Sequence, residues 1–190
     1  MEAVTVFCGS RHGAEPAYAD AARVLGVEIA RRGWTLVYGG AHVGLMGIVA
    51  DAALAAGGRV VGVIPGVLVD LEVAHRALTE IHIVDSMASR KLELLRRADA
   101  VVCLAGGLGT LDELFEALTL IQTKKVHPFP IYLMGSDYWV DMVDWLKKTV
   151  LAHGCISAED LDLFHITDDP EEVAQGIERH FQRDRASRNF

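Results

Sequence analysis

The chain has 190 residues, of which 51% are hydrophobic and 23% charged, a composition that suits one folded domain and excludes a disordered chain. Eighteen Lys plus Arg against 26 Asp plus Glu give a formal charge of −8, which excludes the basic stripe of a general nucleic-acid binder. No apolar run is long enough to span a membrane, and Met1-Glu2-Ala3-Val4 lacks the basic start of a signal peptide. A cytoplasmic protein is expected. Cys8, Cys103 and Cys155 are widely spaced, and the first two sit in apolar runs as reduced core residues. Without a CxxC, HxxxH or HExxH spacing, neither a metal site nor a cofactor is expected.

In chain order, the predicted strands are Val4–Cys8, Thr35–Tyr38, Val60–Ile64, Ile81–Val84, Ala100–Leu104 and Pro130–Met134. Several are continuous apolar runs, as strands buried on both faces require. The predicted helices between and after them are Pro16–Arg32, Leu45–Ala56, Met87–Ala98, Leu111–Thr123, Tyr138–His153 and Pro170–Phe181. The last has Asp169 as N-cap, Pro170 in the first helical position and Glu172 two residues on. Regular strand–helix alternation predicts one α/β domain over residues 1–181, a doubly wound, Rossmann-like and mostly parallel sheet. Residues 182–190 read as a polar, frayed tail.

In such a sheet ligands bind outside the carboxyl ends of the strands. Three loops there carry glycines: Cys8–Gly13, Tyr38–Gly47 and Leu104–Thr110. Where a glycine turn opens a helix, free N–H groups and the helix dipole make an anion site, and phosphate is the expected anion. The third loop lacks both the third glycine of GxGxxG and the GK[ST] of a nucleoside-triphosphate loop, which disfavours a dinucleotide or ATP site. Gly9, Ser10, Gly40, Gly106, Gly107 and Gly109 are the candidate phosphate and substrate contacts. Thr110-Leu111-Asp112-Glu113 supports two readings: a capping box, or a hydroxyl on phosphate with a carboxylate in the crevice.

On a helical wheel of about 100° per residue, Met87, Leu94, Leu95 and Ala98 form an apolar arc with Lys91 inside it and Arg90 at its edge. A lysine there needs a carboxylate or an anionic ligand. Arg90 alone reads as surface, and Glu72 alone as a solvated loop charge. Leu111–Thr123 is apolar on more than one side, which predicts packing on the sheet and on a second subunit in a two-fold dimer.

These residues, in this order, resemble the Lonely Guy family of cytokinin riboside 5′-monophosphate phosphoribohydrolases, many of whose members were once labelled lysine decarboxylases. The family pattern FCGS, GGGxxGLMG, MHxRK and PGGxGTxxE is matched by Phe7–Ser10, Gly39–Gly47, Met87–Lys91 and Ala105–Glu113, with Ala41, Ala88 and Ala105 as departures and Arg11 in a position where a small residue is common. The likeness runs to about Ala174. It implies the doubly wound fold, a homodimer or assembly of dimers, and hydrolysis of a purine-type nucleoside 5′-monophosphate to free base and ribose 5-phosphate. By position it implies Arg90 and Glu113 as the catalytic pair and Glu72, Lys91, Gly107, Gly109, Thr110 and Thr119 as substrate contacts, with Met87 at the head of its motif. Two other readings compete. One is a non-catalytic nucleotide or molybdenum-cofactor carrier, a role associated with some relatives. The other is an amino-acid decarboxylase, for which Lys91 is the one lysine near the crevice.

Overall fold

The computed structural model describes residues 2–70 and 73–188. Its strands are β1 (Ala3–Phe7), β2 (Thr35–Tyr38), β3 (Arg59–Pro65), β4 (Glu80–Val84), β5 (Ala100–Cys103), β6 (Ile131–Met134) and β7 (His165–Thr167). Its helices are α1 (Pro16–Arg31), α2 (Gly44–Ala55), the short α3 (Gly66–Asp70), α4 (Met87–Arg96), α5 (Leu108–Gln122), α6 (Ser136–Trp145) and α7 (Pro170–Arg188). The strands form one sheet in the order β4-β3-β2-β1-β5-β6-β7, and every described pairing is parallel.

The period-two pleat sorts β1 between two cores. Val4 and Val6 face α1, α2 and α7, packing with Leu25, Val49 and Ile177. Ala3 and Phe7 face the other way, packing with Leu94, Leu114 and Trp139 from α4, α5 and α6. Leu114 is fully buried, and its truncation to Ala would cost about 2–5 kcal/mol, so α5 is firmly seated on the sheet.

Three expectations need correction. β7, three residues long and half exposed, is too short to show a strand period. α5 begins at Leu108, three residues before the predicted start, because Gly107 at its N-cap and Gly109 in its first turn read as a loop in sequence. α7 continues to Arg188 where a frayed tail was expected, aided by an ion pair of Arg185 with Glu2 at 2.8 Å. The predicted start of α7 is present: the Asp169 carboxylate accepts the Glu171 N–H at 2.9 Å.

Candidate active site

The strand order reverses direction between β1 and β5, which places the ligand crevice of a doubly wound sheet outside their carboxyl ends. All three glycine loops meet there. Leu104 N–H donates to Phe7 O at 2.9 Å and Gly9 N–H to Ala105 O at 3.0 Å, joining the first and third. Leu45 N–H donates to Gly9 O at 3.0 Å, joining the second. Gly44 has φ +59°, and a Cβ on it would stand 2.3 Å from the Ser10 carbonyl carbon. Conformation and space both require glycine here.

Helix α5 opens on this junction. Its N-cap is Gly107, which has extended backbone and makes no side-chain cap bond. The N–H groups of Leu108, Gly109 and Thr110 therefore have no acceptor within the helix. A Cβ at Gly107 or Gly109 would meet nothing within 4 Å, so the backbone stands open to a ligand. The capping-box reading is overturned: Thr110 is already the third helical residue and Glu113 lies inside the helix. Thr110 is buried, packed so closely on Gly106 that a Cβ there would lie 2.0 Å from Oγ1.

Below that helix start lies a crevice of about 220 Å³, lined among others by Cys8, Gly9, Ser10, Met87, Arg90 and Glu113. Glu113 is only 7% exposed, and its Oε1 is 3.2 Å from Arg90 Nη2. Burial pushes its carboxyl up to about 7, opposed by the Arg90 guanidinium and reinforced by Asp112. Arg90 sits one turn into α4, whose N-cap Ser86 accepts the Ser89 N–H at 3.1 Å. Its guanidinium rests on Gly39, where a Cβ would lie 2.1 Å from Nη2.

The wheel of α4 ranked its two cations in the wrong order. Arg90, read as surface, has the more buried side chain of the two, at 11% exposure. The second glycine loop covers that edge of the helix, which a single-helix projection cannot register. Lys91 does lie between packed elements, and carboxylates answer its charge: Nζ is 3.0 Å from Asp112 and 2.9 Å from Glu116. Hydrogen bonds that Lys91 donates to the Glu116 and Asp112 carboxylates hold its pKa above the ordinary lysine value.

The other candidates divide. Gly9, Ser10, Met87, Gly107, Gly109 and Thr110 line the crevice. Gly106 faces an adjoining hollow with Arg11 and Tyr138, and its carbonyl accepts the Tyr138 hydroxyl. Gly40 instead backs onto Ile64 of β3. Thr119 is exposed and donates its hydroxyl to Phe115 O at 2.7 Å, so it is not brought to the crevice. Glu72 lies outside the described residues.

The sequence reading missed Cys8 as a wall of the crevice. Burial, then the Glu113 carboxylate, pushes its thiol up, so it stays a protonated wall rather than a nucleophile. The apolar run that hid it in the core also gives it that character. Met46, which lies within the GLMG part of the second glycine motif, also lines the crevice though it was not singled out, and Tyr138 of the adjoining hollow was missed with no pattern in the sequence to mark it.

Residues 46–177 match the family described as "Possible lysine decarboxylase". The chain is 38% identical over 178 residues to a "Probable cytokinin riboside 5′-monophosphate phosphoribohydrolase" of Oryza sativa subsp. japonica, covering 93% of this chain and 72% of the relative. It is 42% identical over 148 residues to a cytokinin riboside 5′-monophosphate phosphoribohydrolase of Arabidopsis thaliana, covering 77% of this chain and 68% of that one. The chain belongs to this family, the Lonely Guy hydrolases. It is therefore a hydrolytic enzyme. The molybdenum cofactor binding protein from the phototrophic bacterium Rippkaea orientalis shares the fold, with TM-score 0.70 at 23% identity over 94% of this chain and 96% of that one.

The departures from the Lonely Guy pattern leave the pair intact. Ala88 is exposed and does not line the crevice. Ala105 is buried, and the hydrogen bond it makes, from Gly9 N–H to its carbonyl, is one that a proline would also offer. Ala41 has no left-handed φ, so its methyl brings no backbone strain.

Proposed function

We propose that this Lonely Guy hydrolase cleaves the N-glycosidic bond of a purine nucleoside 5′-monophosphate, cytokinin riboside or adenosine, with Arg90 and Glu113 as its catalytic residues. The observation that carries this reading is the buried Glu113–Arg90 pair directly below the open N-terminus of α5. The Leu108, Gly109 and Thr110 N–H groups receive the phosphate, and that anchorage holds C1′ over Glu113. As the C1′–N bond breaks, its electron pair goes to the base nitrogen and C1′ gains oxocarbenium character. The Glu113 carboxylate stabilises that charge and takes a proton from the water whose oxygen bonds to C1′. The departing base nitrogen takes up a proton, so one water is consumed. Arg90 keeps its own proton and stabilises negative charge.

A decarboxylase would need Lys91 as a free amine for a Schiff base. Two carboxylates instead hold it protonated. The likeness to a molybdenum cofactor binding protein at 23% identity supports a shared fold, while the buried Glu113–Arg90 pair in the crevice favours the hydrolase. We also infer a two-fold dimer, because Leu92, Leu108 and Phe115 leave apolar surface exposed on α4 and α5. Sedimentation at micromolar concentration checks this, and a monomer there contradicts it.

The test of function is release of base and ribose 5-phosphate from AMP and from an N6-prenylated adenosine 5′-monophosphate, with adenosine as control. Release from a monophosphate and little from adenosine is expected. No release from either monophosphate overturns the hydrolase reading, and equal cleavage of adenosine overturns the phosphate anchor.

A further inference from the structure

Arg90 has few anchors of its own. Its Nη1 is 3.9 Å from Met87 Sδ, its Nη2 is 3.2 Å from Glu113, and its Nε is buried with no hydrogen-bond partner. Its position is set by the surface it rests on, the Gly39 peptide. On one side that peptide follows Tyr38, which is paired in the sheet; on the other, the loop that continues from it is held by the chain segment 73–77. Ala74 forms an antiparallel bridge with Ala41. His42 N–H donates to Val73 O at 3.0 Å, and His75 N–H donates to Gly40 O at 2.9 Å.

The segment is in turn held by one buried ring. His75 is 8% exposed. Its Nδ1 accepts the Ala77 N–H at 3.2 Å, which leaves the ring proton on Nε2. That Nε2 then donates to Asp51 Oδ1 at 2.9 Å, tying the segment to α2. We propose that His75, locked by Asp51, is a positioning residue for Arg90: it fixes the Gly40 carbonyl, hence the Gly39 platform, hence the guanidinium. The proposal rests on Arg90 acting in catalysis.

Asp51 gives the cleanest test, because its side chain is 72% exposed and its replacement leaves the core untouched. Asp51→Ala should lower kcat for AMP about fivefold or more and leave KM within about twofold, since misplacement of a catalytic group acts on the chemical step. His75→Ala should show the same split, and His75→Asn, which keeps an acceptor for the Ala77 N–H, should recover part of the loss. In an Arg90→Lys background, Asp51→Ala should cost less than about twofold more, because coupled residues are not additive.

Full additivity, or an unchanged kcat in Asp51→Ala, overturns the proposal. A readout free of turnover separates it from the function itself. The Arg90 Nε–H NMR signal, identified by its absence in Arg90→Lys, should shift or broaden in Asp51→Ala. An unchanged signal overturns the positioning role even if AMP is hydrolysed. A shifted signal in an enzyme that releases no base leaves His75 positioning Arg90 and overturns only the hydrolase reading.

Discussion

Among the described residues three ion pairs join α4 to α5, an inner one at Arg90 and an outer couple that shares Lys91, and inner and outer differ in almost everything except their parent helices. Arg90–Glu113 is about nine-tenths buried on both sides, with side-chain exposures of 11% and 8%. Lys91 meets Asp112 and Glu116, whose side chains are 59% and 35% exposed. In the first pair burial outweighs the cation and lifts the carboxyl to about 7. In the outer couple, hydrogen bonds that Lys91 donates to two carboxylates lift the lysine. The outer couple is an ordinary stabilising contact. The inner one carries a desolvation cost that a fold would not keep for stability alone. A buried, perturbed carboxyl beside a cation in a crevice is the physical ground for the catalytic role proposed for this pair.

The largest effect should follow from Glu113→Gln. Turnover of AMP should fall by at least about two orders of magnitude, because an amide neither opposes an oxocarbenium charge nor accepts the water proton. Stability should move the other way. The carboxyl has an ordinary pKa of 4.5 when unfolded and about 7 in the fold, so the folded state binds its proton more tightly. The stability this gives is complete below about 4.5 and is lost as pH rises to about 7, roughly 3 kcal/mol at the upper limit. Denaturant unfolding at pH 5 and pH 8 should therefore show Glu113→Gln gaining on wild type with rising pH. An inactive variant whose relative stability ignores pH would leave the raised carboxyl unsupported.

Gly39→Ala should come next. The added Cβ would lie 2.1 Å from Arg90 Nη2 and 3.0 Å from Met46 Sδ, so the guanidinium must move. Displacement by about 1 Å costs up to about a hundredfold in rate. Steady-state kinetics on AMP should show that loss in kcat, with phosphate anchorage and KM little changed. Near-normal kcat would mean that Arg90 does not act from its resting place.

How much of this was legible beforehand follows from which forces act locally. The parallel sheet was readable because Val4, Val6, Val101 and Val102 must be apolar on both faces. The start of α5 was not, because Gly107-Leu108-Gly109 has loop propensities, and the helix starts at Leu108, after its extended Gly107 N-cap, where it docks at the β1–β5 junction. Lys91 was correctly read as requiring a partner, but Asp112 and Glu116 lie on another helix and nothing in α4 names them. Arg90 was recognised only by its motif, since its burial comes from a loop distant in sequence.

The outer couple should respond weakly. Lys91→Met keeps the apolar stem between α4 and α5 and removes two partly exposed ion pairs, to Asp112 and to Glu116. Stability should change by less than about 1 kcal/mol in denaturant unfolding. AMP turnover should fall less than about tenfold, through KM rather than kcat, since Lys91 borders the crevice with its charge already committed. A loss as large as that of Glu113→Gln would show that substrate draws Lys91 away from its carboxylates, and the contrast between the inner pair and the outer couple would collapse.

The smallest effect should come from Thr119→Val, where resemblance and geometry disagree. The family pattern makes Thr119 a substrate contact. In the structure its hydroxyl donates to Phe115 O at 2.7 Å on the exposed side of α5. It lies six residues beyond Glu113, about 9 Å along the helix axis. Valine keeps the shape and loses only a hydroxyl bond to a carbonyl that already accepts the helical N–H of Thr119, so stability should shift by less than about 0.5 kcal/mol. AMP should be cleaved within about twofold of wild type. The same variant assayed with an N6-prenylated adenosine 5′-monophosphate sharpens the result. A loss confined to the prenylated substrate would place the base substituent along the outer face of α5, where Phe115 is 37% exposed. A loss on both would mean that the catalytic crevice extends two turns down the helix, past the pair that defines it.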